Sequence, residues 1–134
     1  MKLSPKEKPK KYSDTELSEF KIKAELYHKT LNPNQPIFKG MKIGKDKNDA
    51  MTFPYCNKDL DIIGIKHHKA PSGKSPWWEG DGSLKWYGIH LLSDYDRKKP
   101  LIICEGEKDY LRLKAEGFQA ICGSAGCGST PALP

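Results

Sequence analysis

Apolar residues recur along this chain with two different periods, and the change of period divides it. Leu17, Phe20, Ala24, Tyr27 and Leu31 follow one another at alternating steps of three and four, which is one face of an α-helix. Ser13 opens the run Ser-Asp-Thr-Glu, a capping box in which Glu16 reaches back to the Ser13 amide. Asn32, Pro33, Asn34 and Pro36 stop the helix. From Met51 the period shortens. Met51–Cys56 reads as a strand, Asn57–Asp59 as a tight turn and Leu60–His68 as a second strand, together a β-hairpin. Lys69–Asp81 reads as a loop, with Pro71, Gly73, Pro76 and Gly80 around Trp77 and Trp78. Trp86–His90 is a short apolar stretch, and Asp94–Lys99 a charged connection that ends at Pro100.

The last third has a third pattern. Leu101–Cys104 is wholly apolar, as a parallel strand covered on both faces should be. Glu107–Glu116 carries Tyr110, Leu111, Leu113 and Lys114 as an amphipathic helix, with Gly117 just past its end. Phe118–Cys122 reads as the next strand, so this part is a βαβ unit with a right-handed crossover. A glycine-rich loop, Gly123–Ser129, follows. The expected class is α+β: an N-terminal helix and β-hairpin subdomain over 13–99, then the first βαβ unit of an α/β domain over 100–134. Residues 1–12, rich in Lys and Pro, are expected to be a flexible basic tail.

Composition narrows the class. The 134 residues suffice for one modest domain or two small subdomains sharing a core. Charged residues are 30% of the chain, yet 10% are aromatic, which argues against wholesale disorder. No apolar run approaches the roughly 20 residues that span a bilayer, and no apolar segment follows the basic N-terminus as in a signal peptide. The expected setting is therefore cytoplasmic, without a membrane partner. The net charge of +6 is unevenly spread. Residues 1–12 carry five Lys against one Glu, whereas 100–134 carry three basic and four acidic side chains. A basic front and a slightly acidic end suit a protein that grips a polyanion with one part and does something else with the other; a solvated Lys-rich tail is the plainer account of residues 1–12. Cys56, Cys104, Cys122 and Cys127 form no pair of C-x-x-C knuckles, so free thiols are expected and no zinc.

The candidate chemistry lies in Glu105-Gly106-Glu107-Lys108-Asp109, at the carboxyl end of the predicted parallel strand, where open α/β sheets place their ligands. Gly106 permits a tight turn and close approach of a ligand. Glu107 and Asp109 fall in the first helical turn, where carboxylates also favour the helix dipole. Glu105, beside Gly106 and facing the glycine loop, suits a hard divalent cation. Gly123, Gly126 and Gly128 match neither the Walker nor the dinucleotide pattern, so their loop either cradles a phosphate through backbone amides or simply turns the chain. Lys66 and Lys69 can hold phosphates as point charges, or keep a strand edge polar. Trp77 and Trp78 are expected to pin their loop to the core, with base stacking as the alternative.

The run LIICEGEKDYLRLKAEGFQAICGSAGCGS resembles the opening of a Toprim domain, the catalytic module of bacterial-type primases, topoisomerases and some nucleases. FPYCNKDLDIIGIKHHK and WYGIHLL resemble the stretches that precede Toprim in bacterial, phage and plasmid DNA primases, and carry the resemblance over roughly residues 41–130. It implies Glu105 as the catalytic glutamate, a metal ligand or general acid/base, with Asp109 as the second acidic position. It implies Mg²⁺ or Mn²⁺ as cofactor, and places Lys66, Lys69, Gly106, Gly123 and Gly126 near nucleotide or template. The implied partners are single-stranded DNA, ribonucleoside triphosphates and a replicative helicase in cis or in trans.

One element of the family pattern is missing. Toprim sites use a later Asp-x-Asp, and no Asp or Glu follows Glu116. The family's zinc-binding domain is likewise not in front. The expectation is the front portion of a primase catalytic core of phage, plasmid or mobile-element kind, inactive as this 134-residue piece, with metal binding weak or absent. The alternatives are a non-enzymatic single-strand-binding module and a piece of a Toprim nuclease.

Overall fold

The computed structural model describes residues 12–31, 40–69, 76–80 and 86–123. Helix α1 (Asp14–Thr30) starts at the predicted capping box: the Glu16 amide donates to Ser13 Oγ at 3.1 Å, and the Ser13 amide to Glu16 Oε1 at 3.2 Å. Its predicted face is the one turned inward, with Ala24 buried and Leu17, Phe20, Tyr27 and Leu31 half-buried.

Four antiparallel strands follow, β1 (Gly44–Lys45), β2 (Met51–Cys56), β3 (Ile62–His68) and β4 (Trp77–Gly80), in the order β1-β2-β3-β4. The β2–β3 hairpin is as expected, with Phe53 opposite Lys66 and Pro54 opposite Ile65. Its turn is closed by Asn57 Oδ1, which accepts the amides of Asp59 at 2.9 Å and Asp61 at 3.1 Å. Two strands differ from the expectation. The Trp77 segment is not a loop but a strand, with Trp77 opposite His67 and Gly80 opposite Gly64. Glycine and proline flank it, but the aromatic pair itself favours a pleated, half-buried surface, and the Trp78 ring meets that of Tyr55 at 4.8 Å. Strand β1 has no hydrophobic alternation to betray it. It forms because Gly44, lacking a side chain, lets the strand lie directly against the Tyr27 backbone of α1.

The second sheet has three strands, β5 (Trp86–Tyr87), β6 (Ile102–Cys104) and β7 (Ala120–Gly123), in the order β5-β7-β6. A 3₁₀ helix, Ile89–Asp94, leaves β5, and helix α2 (Glu107–Ala115) joins β6 to its parallel neighbour β7, which is the expected βαβ unit. Helix α2 ends in a Schellman motif: Gly117, at φ +91°, donates to the Lys114 carbonyl, and Phe118 to that of Leu113. The expectation that β6 is covered on both faces fails. Among the described residues β6 pairs on one side only, and Ile103 is 51% exposed while its register partner Ile121, in β7, is fully buried.

Met41, Ile43, Phe53 and Tyr55 of the first sheet and its flank share one core with Tyr87, Tyr110, Leu111, Ala120 and Cys122 of the second. The Tyr87 ring is the keystone, 4.8 Å from Tyr55 and 5.0 Å from Tyr110. Gly88 turns the chain at φ +87°, and a Cβ there would strike the Tyr110 ring. No helix among the described residues is long and apolar enough to cross a membrane.

Candidate functional site

β6 delivers the chain to an exposed turn. Glu105 is exposed, Gly106 caps α2 in an extended conformation, and Asp109 is exposed in the first helical turn. Asp109 Oδ2 lies 3.9 Å from where a Cβ of Gly106 would stand, so this carboxylate overhangs the turn. Among the described residues Glu105 has no hydrogen-bond or ion-pair partner. Two solvated carboxylates around a glycine turn form a hard-oxygen donor set. It suits a cation such as Mg²⁺, which keeps several waters and takes the remaining ligands from substrate phosphates. No three His, Cys, Asp or Glu side chains gather as a closed metal cage among the described residues.

The intervening acidic residue does something else. Glu107 is buried, and Lys66 Nζ donates to both its oxygens, at 3.1 Å to Oε1 and 2.9 Å to Oε2. The Tyr55 hydroxyl donates to Oε2 at 2.9 Å, and burial together with Glu107 holds that phenol far above its ordinary value. The two charged side chains are 8% and 6% exposed, so the pair is a buried strut between β3 and the N-terminus of α2. Lys66, expected near a phosphate, is thus turned inward onto Glu107, while Lys69 is exposed just beyond β3.

Strand alternation sends the next residue to the opposite face. His67 is fully buried against α1, with Nδ1 2.7 Å from Asp46 Oδ2 and Nε2 2.7 Å from Glu79 Oε2. Glu79 also accepts from the Tyr27 hydroxyl at 2.7 Å and pairs with Lys23 at 2.7 Å. Burial pushes both carboxyls up. For Asp46 the hydrogen bonds from His67 and from the Ala50 and Asn48 amides outweigh it; for Glu79 those from Lys23, Tyr27 and His67 do. Each ends below its ordinary value. Burial and Glu79 push the Tyr27 phenol up to about 12. The Trp77 ring stacks on His67, centroids 3.6 Å apart and planes 17° from parallel, while 48% of Trp77 stays exposed.

Of the remaining candidates, Gly123 is buried at the end of β7 opposite Trp86, and Gly126 lies outside the described residues. Sequence reasoning missed Asp46, Tyr55 and Glu79, and took Glu107 for a dipole partner. Alternation on β3 could have placed Lys66 and His67 on opposite faces. Nothing local names their partners, which lie 12 to 41 positions away.

This fold has known counterparts. It superposes on the DnaG catalytic core with a TM-score of 0.63 at 14% identity, over 87% of this chain and 55% of that one. The DnaG primase catalytic domain bound to ssDNA gives 0.61 at 12% identity, over 81% of this chain and 55% of that one. A DNA primase domain from Pseudomonas aeruginosa gives 0.63 at 12%, over 79% and 53%. The chain has a primase-like fold. It spans about half the length of these structures. No protein-family model matches the sequence, and no curated protein does.

Proposed function

We propose that this chain is part of a Toprim-type DNA primase, of phage or plasmid kind, that joins ribonucleotides on a single-stranded DNA template. The observation that carries this is the placement of Glu105-Gly106 and Asp109: at the carboxyl end of a parallel strand, entering a helix, in a fold shared with DnaG catalytic cores. Glu105 and Asp109 would hold Mg²⁺ or Mn²⁺, which when bound neutralises charge on the triphosphate. Glu105, exposed and without a protein partner among the described residues, is the group available to take a proton from the attacking 3′-hydroxyl. Lys69 faces solvent and supplies a point charge for phosphate. Trp77, backed on one side by His67, keeps exposed ring surface on which an unpaired base can stack, worth about 1–3 kcal/mol per base.

The test is primer synthesis by the full-length protein. Glu105→Gln should lower it by about 10²–10⁴-fold with the fold intact; undiminished synthesis overturns the assignment. The exposure of Trp77 and Lys69 also favours a second reading, a non-enzymatic single-strand binder. That reading is the better one if the full-length protein makes no primers while salt-sensitive binding of single-stranded DNA survives Glu105→Gln and falls with Trp77→Ala.

A further inference from the structure

Two cysteines stand opposite one another at the carboxyl ends of the parallel strands. Cys104 of β6 and Cys122 of β7 are register partners. Hydrogen-bonded strands run about 4.8 Å apart, within the roughly 4.4–6.8 Å between Cα atoms that a disulfide bridges. Register partners send their side chains to the same face of the sheet. Cys104 is half-buried and Cys122 fully buried, so a small oxidant meets Cys104 first. Glu105 and Gly106 follow Cys104 directly, and Cys104 Sγ lies 3.8 Å from the Gly106 carbonyl oxygen.

We propose that Cys104 and Cys122 are an oxidisable dithiol, a modification site at which a peroxide closes a disulfide between β6 and β7. The Cys104 thiolate attacks one peroxide oxygen and the O–O bond breaks. Cys104 becomes a sulfenic acid, and the departing hydroxide takes up a proton as water. Cys122 sulfur then attacks Cys104 sulfur. The S–O bond breaks, the S–S bond forms, and the hydroxyl leaves as a second water with the Cys122 proton. In sum, two thiols are oxidised and one peroxide is reduced to two waters.

The two thiols are unequal in access, Cys104 being half-buried and Cys122 fully buried. Cys104 therefore supplies the attacking sulfur and Cys122 the resolving thiol.

The experiment treats the full chain carrying Cys127→Ser with stoichiometric hydrogen peroxide, then alkylates, digests with trypsin and reads masses. The substitution is needed because Cys122 and Cys127 share the tryptic peptide 115–134. The expected product is that peptide linked to the one bearing Cys104, two hydrogens lighter than the pair, reversed by dithiothreitol and absent in Cys104→Ser. In the untreated wild-type chain, alkylation should reach the half-buried Cys104 before the fully buried Cys122. Cys104 found as unlinked sulfinic acid, linked to Cys56, or unmodified after treatment overturns the proposal.

Discussion

In the four-stranded sheet, β3 has a strand on each side, helix α1 over one face and the second sheet's elements against the other. In the three-stranded sheet, β6 has a strand on one side only among the described residues and leaves Ile103 half in water. Their charged groups differ in the same sense. Around β3, Lys66 and Glu107 pair almost fully buried, and His67 sits fully buried between Asp46 and Glu79. At the end of β6, Glu105 and Asp109 stand in solvent. Buried charge in this molecule is paired and holds elements together, while the carboxylates proposed for chemistry stay solvated and free to meet a hydrated cation and its phosphates. A motif of five residues, Glu105 to Asp109, contains both kinds, with Glu107 turned inward between two outward acids.

That contrast can be broken most severely at its seam. Glu107→Ala takes away the buried carboxylate that accepts from both the Lys66 ammonium and the Tyr55 hydroxyl, and should cost about 3–5 kcal/mol of stability in urea unfolding. The double change Lys66→Met with Glu107→Leu should recover most of that loss, because it removes both desolvated charges. A single variant as stable as the wild type would mean that the strut carries no weight. Next comes His67→Ala, which takes one partner from each of two carboxylates, Asp46 keeping the Asn48 and Ala50 amides and Glu79 keeping Lys23 and Tyr27, and should cost about 1–3 kcal/mol by the same measurement. Loss below about 0.5 kcal/mol would show that the cluster behaves as surface.

A smaller effect should appear on acidification. Asp46 and Glu79 are depressed in the folded chain, whereas in the unfolded chain they titrate near about 3.9 and 4.3. A depressed carboxyl contributes stability that is fully present above its unfolded value and lost as pH falls through its folded value. Urea midpoints should therefore hold from pH 7 to about 5 and drop below about 4, with a shallower drop in Asp46→Asn. Rising stability on acidification would contradict these directions. The smallest effect belongs to the other sheet: Ile103→Thr should change stability by no more than about 0.5 kcal/mol, since the side chain is already half in water. A loss above about 1 kcal/mol would show that something covers β6.

Much of the fold was legible where the signal is local. The helix from Ser13, the β2–β3 hairpin around Asn57, and the βαβ unit with Gly117 at the helix end all rest on side chains a few positions apart. The β4 strand was hidden because prolines and glycines around Trp77 read as a loop, although the decisive contacts are across strands, to His67 and Tyr55. β1 was hidden because its determinant is an absent side chain, at Gly44, facing a helix that ends fourteen residues earlier. The candidate site divides in the same way. Glu105, Gly106 and Asp109 could be picked out from spacing next to an apolar run. The inward turn of Glu107 could not, since its partners Lys66 and Tyr55 lie 41 and 52 positions away.

The sequence by itself determined both helices, the β2–β3 hairpin, the strands β6 and β7, the α+β class, and where a carboxylate turn would leave a parallel strand. These follow from periodicity, caps and turn residues, which act over one or two turns of chain. Only the tertiary structure decided that Ile103 of β6 stays half in water, that Trp77 extends a sheet, and which charges are buried. A charge goes inside only where a partner from a distant segment arrives to replace its water, and that pairing is a property of the assembled sheets rather than of any stretch within them.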